Sequence, residues 1–402
     1  MKKLLLLATY DSFLRTGLAV AEAIENVQID ITIRTTASNQ LSSKQLQSIL
    51  GDKKHHCSYF FMNDYKKIDY NSYDMLILSA GNEFIKSFFT FYFNSSTIKR
   101  EKITTISLFP GVIFGDIDSI ASRMNVDVLL CNNKIDYEIA KNIKDTYGLA
   151  TNILLYGFPI IKKVETLKAS KNSIYFFEQV KIPENYNDRF YLLSKLVEYA
   201  FHNQDTIVYI KPRVALGEKT VHINRYPMEK LLEDYGKKNK IPDNLLFTYK
   251  SIEECFSDMK LGITLSSTVA IEAIYNKIPM AIISDFGLRR DFANSEFLGS
   301  GCLVSFDNLG EKELEVTSSW YDSMISFPEN RIELFNDLLS KVGNNKRDNP
   351  ITHIGLESIE YVKSKQGQYI SKNKKRLLKA IRNPKYTFSV LLNFFHRKSN
   401  NE

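Results

Sequence analysis

Short apolar segments alternate with helical patterns along most of this chain, and the alternation constrains its fold more than any other feature. The segments in the first half are Lys3–Thr9, Ile29–Arg34, Met75–Ser79, Thr104–Leu108 and Val126–Leu130. Those in the second half are Ser173–Phe177, Thr206–Lys211, Leu245–Phe247, Leu261–Leu265 and Met280–Ser284. Runs of this length joined by helices are typical of a parallel sheet that is covered on both faces. The sequence therefore predicts an α/β fold of βαβ units.

The length and composition of the chain indicate two globular domains. At 402 residues it is too long for one ordinary hydrophobic core, and 44% of the residues are hydrophobic and 25% charged. A polar, lysine-rich stretch, 162–172, separates the two series of strands and is the expected hinge. We predict one Rossmann-like domain over residues 1–160, a second over residues 173–345, and a helical segment with a basic tail over residues 346–402.

The formal charge of +7 is concentrated at the end of the chain. Residues 372–402 carry nine Lys or Arg and one Glu, so the preceding residues sum to about −1. This distribution argues against nucleic-acid binding by the folded part of the chain. The tail interleaves its cations with leucine and phenylalanine, a pattern that suits a surface of anionic lipid. Packing of the tail on the protein itself is an equal alternative.

The first residues, MKKLLLLATYDSF, imitate a signal peptide. The apolar run is short, Asp11 interrupts it and no small-residue cleavage site follows, so we interpret it as a buried first strand. No window approaches about 18 uninterrupted apolar residues, and the sequence therefore predicts no transmembrane helix. The four cysteines form no CxxC pair, which is typical of free thiols in a reducing cytoplasm.

The segment 262–301 contains the pattern that most specifically indicates a ligand site. A predicted strand ends there in three consecutive hydroxyl residues, and a helix is predicted to follow over residues 269–276. Hydroxyls at such a junction can cap the helix and offer its free backbone N–H groups to a phosphate. Ordinary capping without a ligand is the alternative. The predicted ligand-binding residues of this segment are Ser266, Ser267, Thr268, Glu272 and Asp285.

Basic residues mark the end of another strand in the second half. Lys211 and Arg213 stand at the carboxyl end of the segment Thr206–Lys211, and this is the edge at which open α/β sheets bind ligands. Both side chains would neutralise a phosphate or a carboxylate, and the planar guanidinium of Arg213 can do so through two parallel hydrogen bonds. We therefore predict that Lys211 and Arg213 bind the anionic part of a ligand.

Four more polar residues are expected near the same edge. Glu178 and Gln179 follow the first strand of the second half, and Glu218 and His222 lie in a polar loop after the basic residues. Glu178 and His222 are candidates for catalysis, whereas Gln179 and Glu218 are candidates for ligand binding. A lone histidine is more often structural than catalytic, so a structural role is the alternative for His222.

The order of several short motifs resembles that of a bacterial family of glycosyltransferases. The motifs, in chain order, are ATYDSFLR, FPGV, YGFP, FFEQVKIP, IKPR, GEKTVH, SSTVAIEA, DFG and FLGSG. That family is similar to retaining transferases that add pseudaminic acid or related nonulosonic acids to capsule, and more distantly to Kdo transferases and bacterial sialyltransferases. The more distant families share a His-Pro motif, and this chain has Lys211-Pro212-Arg213 in its place.

The resemblance implies a GT-B-like fold of two facing Rossmann-like domains, with the nucleotide-sugar donor in the second domain. It implies transfer of a nonulosonic acid (pseudaminic, legionaminic or sialic type, or Kdo) from a CMP-activated donor to a capsule or lipopolysaccharide glycan. The acceptor is then lipid-linked or an oligosaccharide. The enzyme is expected to be cytoplasmic and peripheral on the inner face of the cell membrane, held there by the tail, with no nucleic acid as partner.

The first domain is expected to supply the acceptor side and the reacting carboxylate. Asp11 follows the first strand directly, and a carboxylate at that edge can act as a nucleophile in a retaining reaction or as a general base in an inverting one. Capping of the following helix is the alternative for Asp11, and Glu178 is the second candidate carboxylate. The predicted acceptor-side residues are Ser12, Arg15, Pro110 and Gly111.

No metal or other cofactor is predicted. A CMP-activated sugar acid carries one phosphate and one carboxylate, so cations and N–H donors can bind it without a metal that bridges a diphosphate. Asp116 and Asp118 form a superficial DxD pattern, but two aspartates in a loop are commonplace and this pair lies in the acceptor half.

Two alternatives of other classes remain. The first is a transferase of the same fold that uses a UDP- or GDP-sugar, with basic residues for the phosphates and a glutamate for the ribose in the same region. The second is a non-catalytic or epimerase-like protein that binds a nucleotide sugar. An oxidoreductase is disfavoured because the first predicted strand is followed by Tyr10-Asp11 and not by the glycine-rich GxGxxG turn.

Overall fold

The computed structural model describes residues 1–35, 41, 43–51, 55–113, 115–164, 172–213, 224–311 and 313–344. In this part of the chain, two parallel sheets with helices on both faces form the α/β architecture predicted from the sequence. The predicted tail, most of the predicted hinge, and the loop with Glu218 and His222 lie outside the described residues.

The first sheet has seven parallel strands in the order β3-β2-β1-β4-β5-β6-β7. The strands are β1 Lys2–Ala8, β2 Val27–Thr35, β3 His56–Phe61, β4 Met75–Ser79, β5 Thr104–Ser107, β6 Val128–Cys131 and β7 Asn152–Leu155. Its helices are α1 Asp11–Ala21, α2 Ser43–Leu50, α3 Asn82–Asn94, α4 Ile117–Ala121 and α5 Lys134–Tyr147. The order reverses between β1 and β4, and open α/β sheets bind ligands outside the carboxyl ends of strands at such a reversal.

The second sheet has six parallel strands in the order β10-β9-β8-β11-β12-β13. The strands are β8 Ser173–Phe177, β9 Ile207–Lys211, β10 Leu245–Phe247, β11 Met259–Thr264, β12 Met280–Ile283 and β13 Leu303–Val304. The helices in this half are α6 Tyr186–His202, α7 Met228–Gly236, α8 Ile252–Asp258, α9 Val269–Tyr275 and α10 Ser318–Met324, and α11 Arg331–Asn344 follows them. Here the order reverses between β8 and β11.

Both sheets are buried on both faces, which explains why their central strands are continuously apolar. The side chains of Leu4 to Leu7 in β1 are each at most 1% exposed. Helices α3, α4 and α5 cover one face of the first sheet, and α1 and α2 cover the other. Helices α6 and α7 cover one face of the second sheet, and α8, α9 and α10 cover the other. The prediction that the first residues form a buried strand is therefore confirmed.

Helix α1 carries a glycine where it packs against β1 and β4, and a larger residue would not fit there. A Cβ atom at Gly17 would lie 2.6 Å from Cδ1 of Leu6 and 2.8 Å from Cβ of Ser79. The Ser79 hydroxyl also donates a hydrogen bond of 2.6 Å to the carbonyl of Phe13. These contacts fix the beginning of α1, and with it Asp11, at the reversal of strand order.

The last described helix returns to the first sheet. Phe335 and Leu339 of α11 are buried, one turn apart, in the same cluster as the leucines of β1. The guanidinium of Arg331 donates hydrogen bonds to the carbonyls of Tyr156 and Phe158, each 3.1 Å long. The predicted domain boundaries assigned these residues to the second domain, because they follow its strands in the sequence.

Three strands were not predicted from the sequence. They are β3, β7 and β13, and each lies at the edge of a sheet. Edge strands are covered less completely, so their apolar pattern is weaker than that of central strands. Among the described residues, no helix combines the length and the apolar character needed to span a membrane. All four cysteines are free thiols, as predicted.

Candidate functional site

The carboxyl edges of the two sheets face each other across a cleft, and predicted site residues lie on both sides of it. Asp11 begins α1 directly after β1, and Arg213 follows β9. Nη2 of Arg213 lies 3.1 Å from Oδ2 of Asp11. The two side chains are 44% and 27% exposed, respectively, so solvent screens this ion pair. The structure thus brings the predicted catalytic carboxylate and the predicted phosphate-binding arginine into direct contact.

A second pair of opposite charges faces across the same cleft. Arg15 is exposed on α1, one helical turn after Asp11, and Glu272 is half-buried on α9. The pKa of the Glu272 carboxyl is raised to about 7, first by burial and then by the nearby carboxylate of Glu253, while the charge of Arg15 opposes the shift. The predicted acceptor-side arginine therefore lies near enough to act electrostatically on a predicted donor-binding carboxyl.

Gln179 holds the turn of hydroxyl residues after β11. Its side-chain oxygen accepts a hydrogen bond of 2.9 Å from the backbone N–H of Ser266 and one of 3.4 Å from the hydroxyl of Thr264. Its amide nitrogen donates to the hydroxyl of Ser266 over 3.2 Å. Because Gln179 follows β8, these bonds join the loops on the two sides of the reversal in the second sheet. Two predicted donor-binding residues, Gln179 and Ser266, are thus brought together.

The predicted capping of α9 by hydroxyl groups is only partly observed. The hydroxyl of Ser267 accepts a hydrogen bond of 3.3 Å from the N–H of Val269. Thr268 occupies the N-cap position but its side chain makes no capping hydrogen bond, since its backbone is already helical, with φ −58° and ψ −20°. An N-cap side chain accepts from the helix when its own backbone is extended. The Thr268 hydroxyl is therefore not used by the helix that it precedes.

Lys211 ends β9 at the same edge. Its carbonyl accepts a hydrogen bond of 3.0 Å from the N–H of Glu178, which ties β9 to the end of β8. Burial lowers the pKa of its ammonium group, and the nearby Cys255, Glu253 and Glu254 oppose that shift. A half-buried ammonium group gains from an anionic ligand because the ligand replaces solvation that the lysine has lost.

Glu178 lies in a buried ion pair with Arg189 of α6, and both side chains are 1% exposed. The same carboxylate oxygen, Oε1, accepts a hydrogen bond of 3.2 Å from Asn224. Burial raises the pKa of the Glu178 carboxyl, and the charge of Arg189 opposes that shift. Arg189 also donates to the carbonyls of Gln179 and Tyr226, over 3.0 and 2.7 Å. The structure therefore gives this predicted catalytic carboxylate the surroundings of a structural group.

Asp285 is also committed to contacts within the protein. Its Oδ1 accepts a hydrogen bond of 2.7 Å from the hydroxyl of Tyr191, and its Oδ2 accepts one of 3.0 Å from the N–H of Phe306. Burial and the bond to Asp285 raise the pKa of the Tyr191 hydroxyl to about 12. Asp285 thus anchors the loop after β12 to α6 and to the segment after β13, and its predicted role in donor binding stays a prediction.

The acceptor-side loop after β5 is fixed to the first domain. Ser12 is exposed at the start of α1, and Oγ1 of Thr16 on the same helix lies 3.4 Å from the carbonyl oxygen of Pro110. The guanidinium of Arg123 lies 4.8 Å from the ring centroid of Phe109. Arg123 is buried, which lowers its pKa to about 9, and its Nη2 donates to the carbonyl of Ala80 over 2.6 Å. The predicted acceptor-side residues therefore lie along one edge of the first sheet.

Asn132 lies at the same edge and was not singled out from the sequence. It follows β6, is 1% exposed, and its amide nitrogen donates to the carbonyls of Phe109 and Gly111 over 3.2 and 2.8 Å. Its position after a strand of the first sheet is the same signal that singled out Asp11. Asp136, buried one turn into α5, accepts a hydrogen bond of 2.9 Å from the N–H of Gly115, and burial raises its pKa to about 6.

The aspartates of the DxD pattern make separate contacts. Asp116 accepts a hydrogen bond of 2.6 Å from the hydroxyl of Ser119, and Oδ2 of Asp118 lies 3.6 Å from the ammonium of Lys86. Within the described ranges, no three His, Cys, Asp or Glu side chains are grouped closely enough to hold a metal ion. The candidate donor contacts there are instead cations, hydroxyls and a carboxyl group.

Three solved structures show the same fold over most of their length. An S. aureus MnaA-UDP structure has a TM-score of 0.56 at 12% identity and covers 86% of this chain and 97% of its own. The UDP-GlcNAc 2-epimerase from Neisseria meningitidis bound to UDP-GlcNAc has a TM-score of 0.52 at 12% identity, and the match covers 84% of this chain and 100% of the epimerase chain. Arabidopsis thaliana UGT89C1 complexed with UDP has a TM-score of 0.51 at 11% identity, and the match covers 87% of this chain and 96% of the UGT89C1 chain. These similarities confirm the predicted GT-B-like fold.

No curated protein sequence matches the chain significantly. A match to a sequence family is nevertheless extensive and includes both sheets as well as the loops that carry Asp11, Gly111, Arg213 and Ser266. Residues 4–333 match the family described as "Putative glycosyltransferase (DUF6716)", and the chain therefore belongs to this glycosyltransferase family.

Proposed function

We propose that this protein transfers a sugar from a UDP-activated donor to a glycan acceptor. The observation that carries the proposal is the 3.1 Å contact between Asp11 and Arg213, which places a carboxylate of the first domain beside a cation of the second. Such a pair suits a glycosyl transfer, because a carboxylate can act on the acceptor or on the sugar while cations stabilise the departing phosphate. Membership of a glycosyltransferase family supports the same reaction class.

The proposed donor site lies at the carboxyl edge of the second sheet. Arg213 and Lys211 would neutralise the two phosphates, and the backbone and hydroxyl groups of the turn 266–268 would complete their hydrogen bonds. Glu272, half-buried beside that turn, would accept hydrogen bonds from the ribose hydroxyls. Loss of the nucleoside diphosphate places negative charge on the leaving oxygen, and preorganised cations lower the energy of that state.

UDP is the nucleotide that we propose first. Two of the solved structures with this fold are named as UDP complexes and a third as a complex with UDP-GlcNAc. The CMP-nonulosonate donor implied by the sequence resemblance stays a prediction. Its single phosphate and its carboxylate could also be bound by Lys211 and Arg213. A CMP-nonulosonate donor would make the transferred group a nonulosonic acid such as pseudaminic acid.

Asp11 is the proposed catalytic carboxylate, as the nucleophile of a retaining reaction or the general base of an inverting one. It is the predicted carboxylate that reaches the cleft, whereas Glu178 is buried against Arg189. A general base must lie within hydrogen-bond reach of the hydroxyl that it deprotonates. The exposed Ser12 and Arg15 beside Asp11 would then contact the acceptor.

Nucleotide binding provides the direct test of the donor. UDP, CMP and GDP at equal concentration are compared by thermal shift and by calorimetric titration of the full-length protein, each with and without EDTA. A ligand present at about 100 times its Kd stabilises the folded state by about 2.7 kcal/mol, which thermal shift detects readily. Binding of UDP in preference to the others supports the proposal. Binding of CMP alone would contradict the proposed UDP-sugar donor and favour the CMP-nonulosonate donor.

Epimerisation of a UDP-sugar is a second candidate function, because one of the structures with this fold is a UDP-GlcNAc 2-epimerase. The two candidates differ in what happens without an acceptor. An epimerase converts the UDP-sugar to an isomer that still carries UDP, whereas a transferase leaves it intact or hydrolyses it slowly. NMR of a UDP-sugar incubated with the enzyme alone separates the two, and rapid appearance of an isomer would favour epimerisation.

The acceptor and the location of the enzyme rest on the sequence alone. A capsule or lipopolysaccharide glycan is the acceptor implied by the resemblance, and such glycans on lipid carriers would place the enzyme at the inner face of the membrane. The basic residues of the predicted tail would supply the attraction to anionic lipid.

A further inference from the structure

We propose that Gly111 is a positioning residue that sets how closely the loop after β5 approaches the hydroxyl turn after β11. This inference rests on the proposed function only in calling these two segments the acceptor side and the donor side. The contact itself joins Gly111 of the first domain to Thr268 of the second. It therefore limits how far the cleft between the two domains closes.

The spacing at Gly111 leaves no room for a side chain. A Cβ atom there would lie 2.9 Å from Cγ2 of Thr268, closer than carbon atoms pack without a shift of one of them. The φ angle of Gly111 lies outside the left-handed region, so its backbone conformation does not demand glycine. Thr268 is β-branched and has few side-chain conformations in which to yield. Glycine is therefore required by the approach of the other domain.

The loop that carries Gly111 cannot easily retreat into the first domain. Asn132 donates to the carbonyl of Gly111 over 2.8 Å, and this asparagine is itself almost completely buried. Phe109 and Ile113, on either side of the glycine, pack in the core between the first sheet and α3. A methyl group added at position 111 would therefore push against Thr268 and not displace its own loop.

The same loop also contacts the core of the second domain. Val112, the residue after Gly111, packs against the cluster formed by β8, β11, α8, α9 and α10. Ile113, the next residue, packs in the first domain. Two neighbouring residues thus attach the loop to the hydrophobic cores of both domains. Gly111 lies beside them, where this loop approaches the second domain most closely.

The width of the cleft matters for the proposed chemistry because reacting groups on opposite domains must meet. Asp11 and Arg213 are in hydrogen-bond contact across the same cleft. Displacement of a reacting group by about 1 Å can reduce a rate by about 100-fold. A substitution that holds the domains apart is thus expected to weaken productive binding of the acceptor while leaving each domain intact.

The experiment compares four variants of the full-length protein with the unaltered chain. Gly111→Ala introduces the methyl group, Thr268→Ser removes only Cγ2 and retains the hydroxyl, and the double variant combines them. Gly81→Ala is the matched control, since Gly81 lies at the same edge after β4, also has ordinary backbone angles, and a Cβ there would meet nothing within 4 Å. Thermal unfolding of each variant verifies that it folds.

The first readout is the separation of the domains without any ligand. Spin labels are attached to one exposed position in each domain, through Lys141→Cys in α5 and Lys238→Cys just after α7, with the half-buried Cys57 changed to Ser. The distance distribution between the labels is measured by double electron–electron resonance. We expect Gly111→Ala to shift this distribution and the double variant to restore it, while the Gly81→Ala distribution stays that of the unaltered chain.

The second readout is transfer to a soluble acceptor. When Thr268 is unaltered, we expect Gly111→Ala to raise the acceptor KM about fivefold, which corresponds to about 1 kcal/mol. When Thr268 is replaced by Ser, we expect Gly111→Ala to have little effect on the acceptor KM. A simple loss of folding would lower the yield in both backgrounds equally. An unchanged label distance in Gly111→Ala, or equal effects in the two backgrounds, would overturn the proposal.

The two readouts separate this inference from the proposed function. The label distances depend on neither donor nor acceptor, so they test the role of Gly111 even if no UDP-sugar is a substrate. A shifted distance together with inactivity toward every donor would retain Gly111 as a positioning residue and reject the proposed reaction. Transfer activity with unaltered label distances in all variants would support the proposed reaction and reject the positioning role of Gly111.

Discussion

Asp11 and Arg213 belong to different domains, and their side chains meet through a 3.1 Å contact between Oδ2 and Nη2. Under the proposed function, Arg213 binds the donor phosphates and Asp11 acts on the acceptor or on the sugar. A phosphate that takes Arg213 must therefore compete with Asp11 for the guanidinium. When a donor phosphate binds Arg213 in place of Asp11, the Asp11 carboxylate is released to react. The donor is therefore expected to bind before the acceptor.

Asp11→Asn should abolish transfer and slightly tighten donor binding. The variant removes the carboxylate that reacts, and it also frees Arg213 from its partner in the unliganded protein. Exposed ion pairs contribute about 0.2–1 kcal/mol, so a tightening of up to about fivefold is expected. Calorimetric titration with the donor nucleotide measures the binding, and single-turnover kinetics measure the transfer.

The control for this variant is Asp64→Asn, which removes the same charge from an exposed pair with Lys67 in the first domain. It should change neither binding nor turnover. Weaker donor binding in Asp11→Asn would contradict the competition between Asp11 and the donor. Substantial remaining kcat would show that another group is the catalytic carboxylate.

Arg213→Ala should weaken donor binding by about 10- to 100-fold, since a hydrogen bond to a charged group contributes about 1.5–3 kcal/mol. The loss should shrink as salt concentration rises, because the arginine is 44% exposed and its field is screened. Titration of the nucleotide at low and high salt measures both effects. Lys237→Ala removes the same charge from an exposed position after α7 and should leave the affinity unchanged; an equal loss in that variant would point to net charge and not to a specific contact.

Glu272 predicts a pH dependence of stability. Its carboxyl has a pKa of about 7 in the folded protein, compared with an ordinary value of 4.5, mainly because of burial. The folded state therefore holds a proton that the unfolded state has lost, so this contribution to the unfolding free energy is fully present below about pH 4.5 and is lost as pH rises through about 7.

Urea unfolding of the unaltered chain and of Glu272→Gln, at about pH 5 and about pH 8, measures this contribution. The unaltered chain should lose stability relative to the variant between the two pH values. Other buried carboxyls, such as Asp136, are present in both proteins and cancel in the difference. A difference that is independent of pH would show that Glu272 does not titrate in this range.

The buried pair of Glu178 and Arg189 is expected to stabilise the second domain. Arg189→Ala leaves the Glu178 carboxylate buried without its cation and should lower the unfolding free energy by about 3–5 kcal/mol. Glu178→Gln should cost less, because Arg189 keeps its backbone carbonyl partners, and it should retain most of kcat. Glu184→Gln breaks an exposed pair with Lys181 and should change stability by less than about 1 kcal/mol. Complete loss of kcat in a well-folded Glu178→Gln variant would assign Glu178 to catalysis.

The basic end of the chain predicts salt-dependent association with anionic membranes. Each Lys or Arg near such a surface contributes about 1 kcal/mol, and the attraction falls within a Debye length. The full chain should sediment with vesicles that contain phosphatidylserine at low salt and be released at high salt. A chain that ends near Gln366 should stay in the supernatant and keep its activity on a soluble acceptor. Equal sedimentation of both forms would show that the tail is not the membrane-binding segment.

Much of the fold could be predicted because the information is local. The central strands are continuously apolar, and the predicted bounds of Met75–Ser79 and Ser173–Phe177 coincide with central strands of the structure. The predicted bounds of Leu245–Phe247 coincide with the edge strand β10. The edge strands β3, β7 and β13 escaped prediction because partial exposure weakens their apolar pattern. Residues 331–344 were assigned to the second domain because they follow its strands in the sequence, whereas α11 packs on the first sheet, which depends on the path of the chain in three dimensions.

The positions of candidate site residues at the ends of strands were likewise determined by the sequence alone, because parallel strands place their carboxyl ends at one edge. Only the tertiary structure decided how these residues are used. It buries Glu178 against Arg189, commits Asp285 to Tyr191 and brings Asp11 to Arg213. The periodicity of side chains reports the environment within one element, whereas a contact between residues 202 positions apart depends on how two complete domains pack.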